Sequence, residues 1–198
     1  MKGKKFIFIG FGLILLMIPL YMVFSSEDIL ENGNRHKIRL QAYDPFDPFR
    51  GKYLMLNYDN SADCDNTLKD GDDCYITLKK DSLGFSYFDY ASAEKPKGTD
   101  YFKSRVEYMG SFFDPGFDGD WPEDIGATCN FSTNNFSKYF INENKAKRAE
   151  DFVIDYQRSR PDDIYVAIRV LDGEVRLEDI FIEETPLLEF LEKEEKTD

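Results

Sequence analysis

Hydrophobic and polar positions along this chain follow two regimes. From Phe6 to Phe24 no charged residue interrupts an apolar run, and beyond it apolar residues mostly alternate with polar ones. A helix of that length rises roughly 28 Å, close to the ~30 Å hydrocarbon core of a bilayer. Lys2, Lys4 and Lys5 precede the run, and Glu27 and Asp28 are the first charges after it. The positive-inside rule then leaves the N-terminus in the cytoplasm and carries the rest of the chain outward, across a cell inner membrane. A cleavable secretory signal shares the basic start and apolar core, but its core is shorter and a small-residue site follows it. Here Val23-Phe24-Ser25 is a poor site, so the pattern favours an uncleaved anchor, with the bulk of the chain exported in either case.

Past a polar spacer from Ser25 to Asn34, Ile38, Leu40 and Ala42 alternate with Lys37, Arg39 and Gln41, which predicts a half-buried strand ending at Asp44-Pro45. Asp47-Pro48 adds a second turn. Further strands are predicted over Tyr53 to Tyr58, Cys74 to Leu78, Phe85 to Tyr90 and Arg105 to Met109, with loops at Asp59 to Asp73 and at 91–101. A turn-rich stretch follows from Asp114 to Asp124. Ala146, Ala149, Phe152, Val153 and Tyr156 share one helical stripe, with Asn142 as N-cap. Asp172-Gly173 joins Ile164 to Leu171 with Glu174 to Ile182 as a hairpin. The charged stretch Glu189 to Asp198 reads as a frayed helix or a disordered tail. The fold class is therefore a mainly antiparallel β domain (α+β) with one packed helix, residues 25–188, preceded by a single transmembrane helix.

Charge narrows the partners. The chain holds 25 Lys+Arg and 38 Asp+Glu, and residues 1–24 carry three of the former and none of the latter, so the exported part has 22 minus 38, or −16. Such a surface repels phosphate backbones, which excludes nucleic acid. The aromatic content of 16% is too high for a disordered stalk.

Candidate chemistry is sparse, and no cofactor is implied. Cys64 and Cys74 flank a polar loop and could form a disulfide in an oxidising compartment; Cys129 is left over and reads as a buried thiol. One histidine, His36, and no CxxC pair disfavour a zinc site. His36 reads as a solvated residue at strand entry. A Ser/Lys hydrolase of the signal-peptidase type would need a serine close to the glycine-led strand and a desolvated lysine, and neither Ser25, Ser26, Lys79 nor Lys80 stands out in those roles. Calcium is the alternative ligand: Asp59, Asp63, Asp65, Asp70, Asp72 and Asp73 crowd one loop, and Asp114, Asp118, Asp120, Glu123 and Asp124 another. Cys64 stands where an EF-hand loop needs glycine, so solvated acidic loops are the default.

Two segments resemble a known family. Arg50-Gly51-Lys52-Tyr53-Leu54-Met55-Leu56-Asn57-Tyr58 is similar to the signature of the GDYXXLXY protein family at Gly51, Tyr53, Leu56 and Tyr58, with Lys52 in place of its aspartate. Tyr139-Phe140-Ile141-Asn142-Glu143 resembles the family's aromatic-aromatic-x-Pro-Glu element, with Asn142 replacing proline, and the Leu171-Asp172-Gly173 hairpin fits the family's ending. The resemblance implies a membrane-anchored protein of unassigned activity that accompanies multi-span membrane proteins. Alternation puts Tyr53 and Met55 on one face and Leu54, Leu56 and Tyr58 on the other. That pattern suits an ordinary core strand, or an exposed tyrosine ledge that binds a partner. Gly51, Tyr53, Leu56, Tyr58, Tyr139, Phe140 and Glu143 are the candidate motif residues, with no catalytic role assigned.

Overall fold

A computed structural model describes residues 2–41, 53–110 and 127–195. Helix α1 (Lys2–Asn32) contains the whole apolar run and continues through Ser25 to Asn32. The expected spacer is thus two further helical turns, and β1 (Asn34–Arg39) begins one residue later. Gly33 fills the junction because there is no room for a side chain: a Cβ there would lie 2.4 Å from the Ile29 carbonyl oxygen.

The strands β2 (Tyr53–Met55), β3 (Ser61–Cys64), β4 (Asp73–Lys80), β5 (Ser86–Ser92), β6 (Tyr101–Gly110), β7 (Ala127–Phe131), β8 (Lys138–Phe140), β9 (Ile164–Leu171), β10 (Glu174–Ile182) and β11 (Thr185–Pro186) make two sheets. The larger runs β11-β10-β9-β1-β5-β3-β7-β6-β4, and β4 also pairs with β5. That last pairing closes β5, β3, β7, β6 and β4 into a five-stranded barrel among the described residues. Strand β5 serves both halves: Ser86 pairs with Ile38 of β1, while Tyr90 and Ala91 pair with β3. These two ladders are parallel; the others are antiparallel, as the predicted class requires.

The barrel is filled by aromatic rings. Phe88 meets Phe131 edge-on at 4.9 Å, and Phe102 meets Phe136 at 5.6 Å, with all four rings buried. Such edge-to-face pairs add roughly 0.5–1.5 kcal/mol each beyond the area they bury. Helix α2 (Glu143–Ser159) forms as the stripe predicts, Asn142 accepting a hydrogen bond from the Asn144 N–H at 3.1 Å. Ala146 and Ala149 are buried, and Phe152, Val153 and Tyr156 pack against the same core. Asp172 (φ 50°) and Gly173 (φ 87°) make the turn between β9 and β10, both left-handed as a two-residue hairpin demands.

Three segments refine the expected picture. The supposed loop from Asp59 contains β3, because Ser61-Ala62-Asp63-Cys64 alternates as a strand with Ala62 and Cys64 buried. Of the two readings of the charged tail the helical one holds: α3 (Leu187–Glu195) is fixed by buried Leu187 and Leu191. Strand β7, between the turn-rich region and the second motif, was not expected at all. The Asp-Pro turns, Gly51, Lys52 and the acidic loop from Asp114 to Asp124 lie outside the described residues.

Candidate functional site

The two motif segments are partners. Strands β2 and β8 form a separate antiparallel ribbon, pairing Tyr53 with Phe140, Leu54 with Tyr139 and Met55 with Lys138. The Leu56 N–H then donates to the Ser137 carbonyl at 2.8 Å, extending the ribbon by one bond. Alternation gives the ribbon two faces, as the sequence pattern predicts. Leu54, Leu56, Tyr58 and Tyr139 are buried.

Tyr58 is therefore no part of an exposed ledge. Its ring lies 5.1 Å from Phe136 and its hydroxyl donates to the Phe136 carbonyl at 2.8 Å. Burial pushes its pKa well above the ordinary phenol value. Tyr139 stands close enough to Asp179, beside a bulge in β10 between Leu177 and Asp179, for each to bear on the other's ionisation. Burial raises the pKa of both groups. That proximity sets the ribbon beside the late hairpin, so the three segments that carry the family resemblance lie together.

On the outer face Tyr53 and Phe140 pack with ring centroids 5.9 Å apart, and the Lys138 ammonium lies 5.6 Å from the Tyr53 ring. Phe140 is 73% exposed, among the most exposed aromatic side chains of the domain. Of the motif residues, the structure thus divides Leu56, Tyr58 and Tyr139, which anchor, from Tyr53 and Phe140, which are presented. Glu143 opens α2.

A second constellation was missed by sequence reasoning. His36 is 3% exposed, contrary to the solvated residue expected. Its Nδ1 lies 2.9 Å from Ser86 Oγ and its Nε2 3.1 Å from Asp100 Oδ2. A carboxylate only accepts, so Nε2 carries the proton and Nδ1 accepts from the serine hydroxyl. Burial lowers the His36 pKa, the Asp100 charge opposing and the Lys80 charge assisting. Sequence held one weak signal: His36 falls on the same strand face as Ile38, the face that alternation assigns to the core. Its partners, 50 and 64 residues away, left none.

A nucleophile–base–acid arrangement needs a reachable nucleophile. Ser86 is 4% exposed, and the cleft that reaches His36 is lined by Leu78, Lys80, Gly98, Thr99 and Asp100, without Ser86. Lys79 is hydrogen-bonded to Asp89, which raises its pKa, the wrong direction for a lysine base. The acidic residues near β3 are used locally: Asp59 accepts from Ser61, Asp65 from Thr67 and Asp72 from the Lys69 N–H. Asp73 pairs with Arg105 at 3.1 Å. Among the described residues no group of three or more His, Cys, Asp or Glu side chains is placed to hold a metal ion. Cys64, Cys74 and Cys129 are all buried thiols.

Helix, barrel and ribbon define a class: a small β domain led by one helix long and apolar enough to cross a membrane. Within that class the chain belongs to the GDYXXLXY family, whose model, described as GDYXXLXY protein, matches residues 15–180. No curated protein and no solved structure matches the chain.

Proposed function

We propose that this chain is a single-pass, uncleaved membrane protein whose exported domain acts as a non-catalytic accessory module, docking a multi-span membrane partner through the outer face of the β2–β8 ribbon. One observation carries the anchor: α1 does not end at the membrane boundary but runs on into the folded domain. Ile29 is buried, Arg176 Nε donates to Ser26 Oγ at 3.2 Å, and Arg169 donates to the Gly33 carbonyl at 3.1 Å. Signal sequences end instead in a small-residue cleavage segment outside the mature fold. The ribbon supports the docking half of the proposal, because the exposed Phe140 ring and the half-buried Tyr53 ring beside it, on a backbone fixed by Tyr58 and Tyr139, supply contact area at little entropic cost.

The test is purification from native membranes in mild detergent through a chromosomal tag, with bound proteins identified by mass spectrometry. A stoichiometric multi-span protein is expected with the wild type. It should be lost from the double variant Tyr53→Ser, Phe140→Ser, whose thermal unfolding should match the wild type. A lone chain at full recovery overturns the proposal.

A further inference from the structure

The three cysteines are far apart in sequence and sit on three different strands, yet all face the barrel interior. Cys64 is on β3, Cys74 on β4 and Cys129 on β7. Strands β3 and β7 are neighbours, with Cys64 opposite Ala127 and Ala62 opposite Cys129. Cys64 and Cys129 are thus diagonal neighbours on one face. Diagonal positions stand about 7–8 Å apart at the backbone and less at Cβ, and the right-handed twist of paired strands brings one diagonal closer than the other. Here the two thiols stand close enough for each to bear on the other's ionisation. Cys74 is placed differently: β5 lies between β3 and β4 on one side of the barrel, and β7 and β6 on the other. It faces the other two across the interior.

We propose that oxidation of the exported domain joins Cys64 to Cys129 across β3 and β7, and leaves Cys74 as a buried thiol. The pairing that sequence proximity suggests, Cys64 with Cys74, would have to cross the barrel rather than join adjacent strands. The reaction is an exchange with a disulfide oxidant, such as oxidised glutathione or a thiol oxidoreductase. One cysteine thiolate attacks a sulfur of the oxidant and forms a mixed disulfide, expelling a thiol. The second thiolate then displaces the remaining oxidant sulfur, so a Cys64 Sγ–Cys129 Sγ bond forms, the oxidant's disulfide becomes two thiols, and the two cysteine protons go with them. Exchange needs thiolates. Burial raises the thiol pKa of Cys64, of Cys74 to about 11, and of Cys129. The bond therefore forms while the barrel is still assembling and is shielded once it has closed.

The proposal uses the export reading for its compartment, but the pairing itself is tested in vitro. The full chain is refolded in detergent with reduced and oxidised glutathione, thiols are blocked, and the protein is digested with trypsin without reduction. Cleavage after Lys69 separates Cys64 from Cys74, so the linked peptides differ in mass. The expected product joins the Cys64 and Cys129 peptides, with Cys74 alkylated only after denaturation. Cys74→Ser should leave its yield unchanged. A Cys64–Cys74 peptide, or no linked peptide, overturns the assignment. A Cys64–Cys129 link in refolded protein, with three thiols in protein isolated from cells, supports the pairing and counts against export.

Discussion

His36 shows how far a single residue's surroundings can depart from its local sequence. Its strand neighbours are Arg35 and Lys37, which reach over aromatic rings of the outer sheet face, Arg35 4.6 Å from Phe181 and Lys37 4.6 Å from Tyr165. His36 turns the other way, into a site shared with a serine from β5 and an aspartate that precedes β6. The aspartate also accepts from the Asn34 amide at 2.7 Å. Because desolvation lowers the His36 pKa below 6.5, the unfolded chain binds a proton more readily than the folded one. Stability from this group is present above pH 6.5 and is lost as pH falls through the folded pKa. With one histidine in the chain, its imidazole NMR signals are unambiguous. Their titration midpoint is expected below 6.5 in the folded domain and near 6.5 in urea. A folded midpoint above 6.5 would mean that the Asp100 charge outweighs burial. The face of His36 was legible from alternation, but its partners were not, since nothing local to residue 36 encodes a contact with residue 86 or 100. Faces at the motif were equally legible: Leu54, Leu56 and Tyr58 are buried as alternation requires.

Elements with a strong period or a specific turn were read well, and elements defined by their partners were not. Helix α2 and the β9–β10 hairpin announce themselves through the alanine stripe and Asp172-Gly173. Strand β3 was hidden because Asp59, Ser61, Asp63 and Asp65 alternate at a spacing that suits both a ligand loop and a strand, and burial of Ala62 and Cys64 decides between them. Strand β8 is three residues long and owes its form to pairing with β2 across more than 80 residues, while β2 itself, expected over Tyr53 to Tyr58, is a strand only over Tyr53–Met55. The end of α1 was hidden for another reason: Ser25 to Asn32 is polar enough to pass for a spacer, and only its docking on β9 and β10 keeps it helical. That docking depends on Gly33. Its Cβ position is 2.4 Å from the Ile29 carbonyl oxygen and 3.2 Å from both the Arg169 Cβ and the Val170 nitrogen, two of the three obstacles being backbone. Gly33→Ala should therefore destabilise the domain by about 1–3 kcal/mol, the range for forced overpacking. The expected readout is a lower urea midpoint, with faster protease cleavage near residue 33. An unchanged midpoint would show that the junction is loose and that α1 is not part of the folded unit.

At the scale of the molecule, the apolar run and the domain follow from different physics but share one helix. The apolar run has the length and composition that crossing a bilayer requires, while the turns after it are set by β9, β10 and their arginines. In a cleaved signal sequence the two parts separate between Val23 and Ser26, one turn before the buried Ile29. In an anchor they remain one helix, 31 residues long, about 46 Å at 1.5 Å per residue and thus long enough to span the bilayer and dock beyond it. The two outcomes differ in mass and in partition. Retention predicts an intact chain near 23.1 kDa, with its N-terminal lysines present, that stays in the membrane after alkaline carbonate extraction. Placement of those lysines in the cytoplasm further predicts that protease added to spheroplasts removes the domain, while a tag before Lys2 stays protected until the membrane is lysed. A soluble product beginning near Ser25 would sink the anchor. A protected domain with an exposed tag would keep the anchor and invert it, placing the cysteine trio in a reducing compartment, where the Cys64–Cys129 bond should be absent from protein isolated from cells.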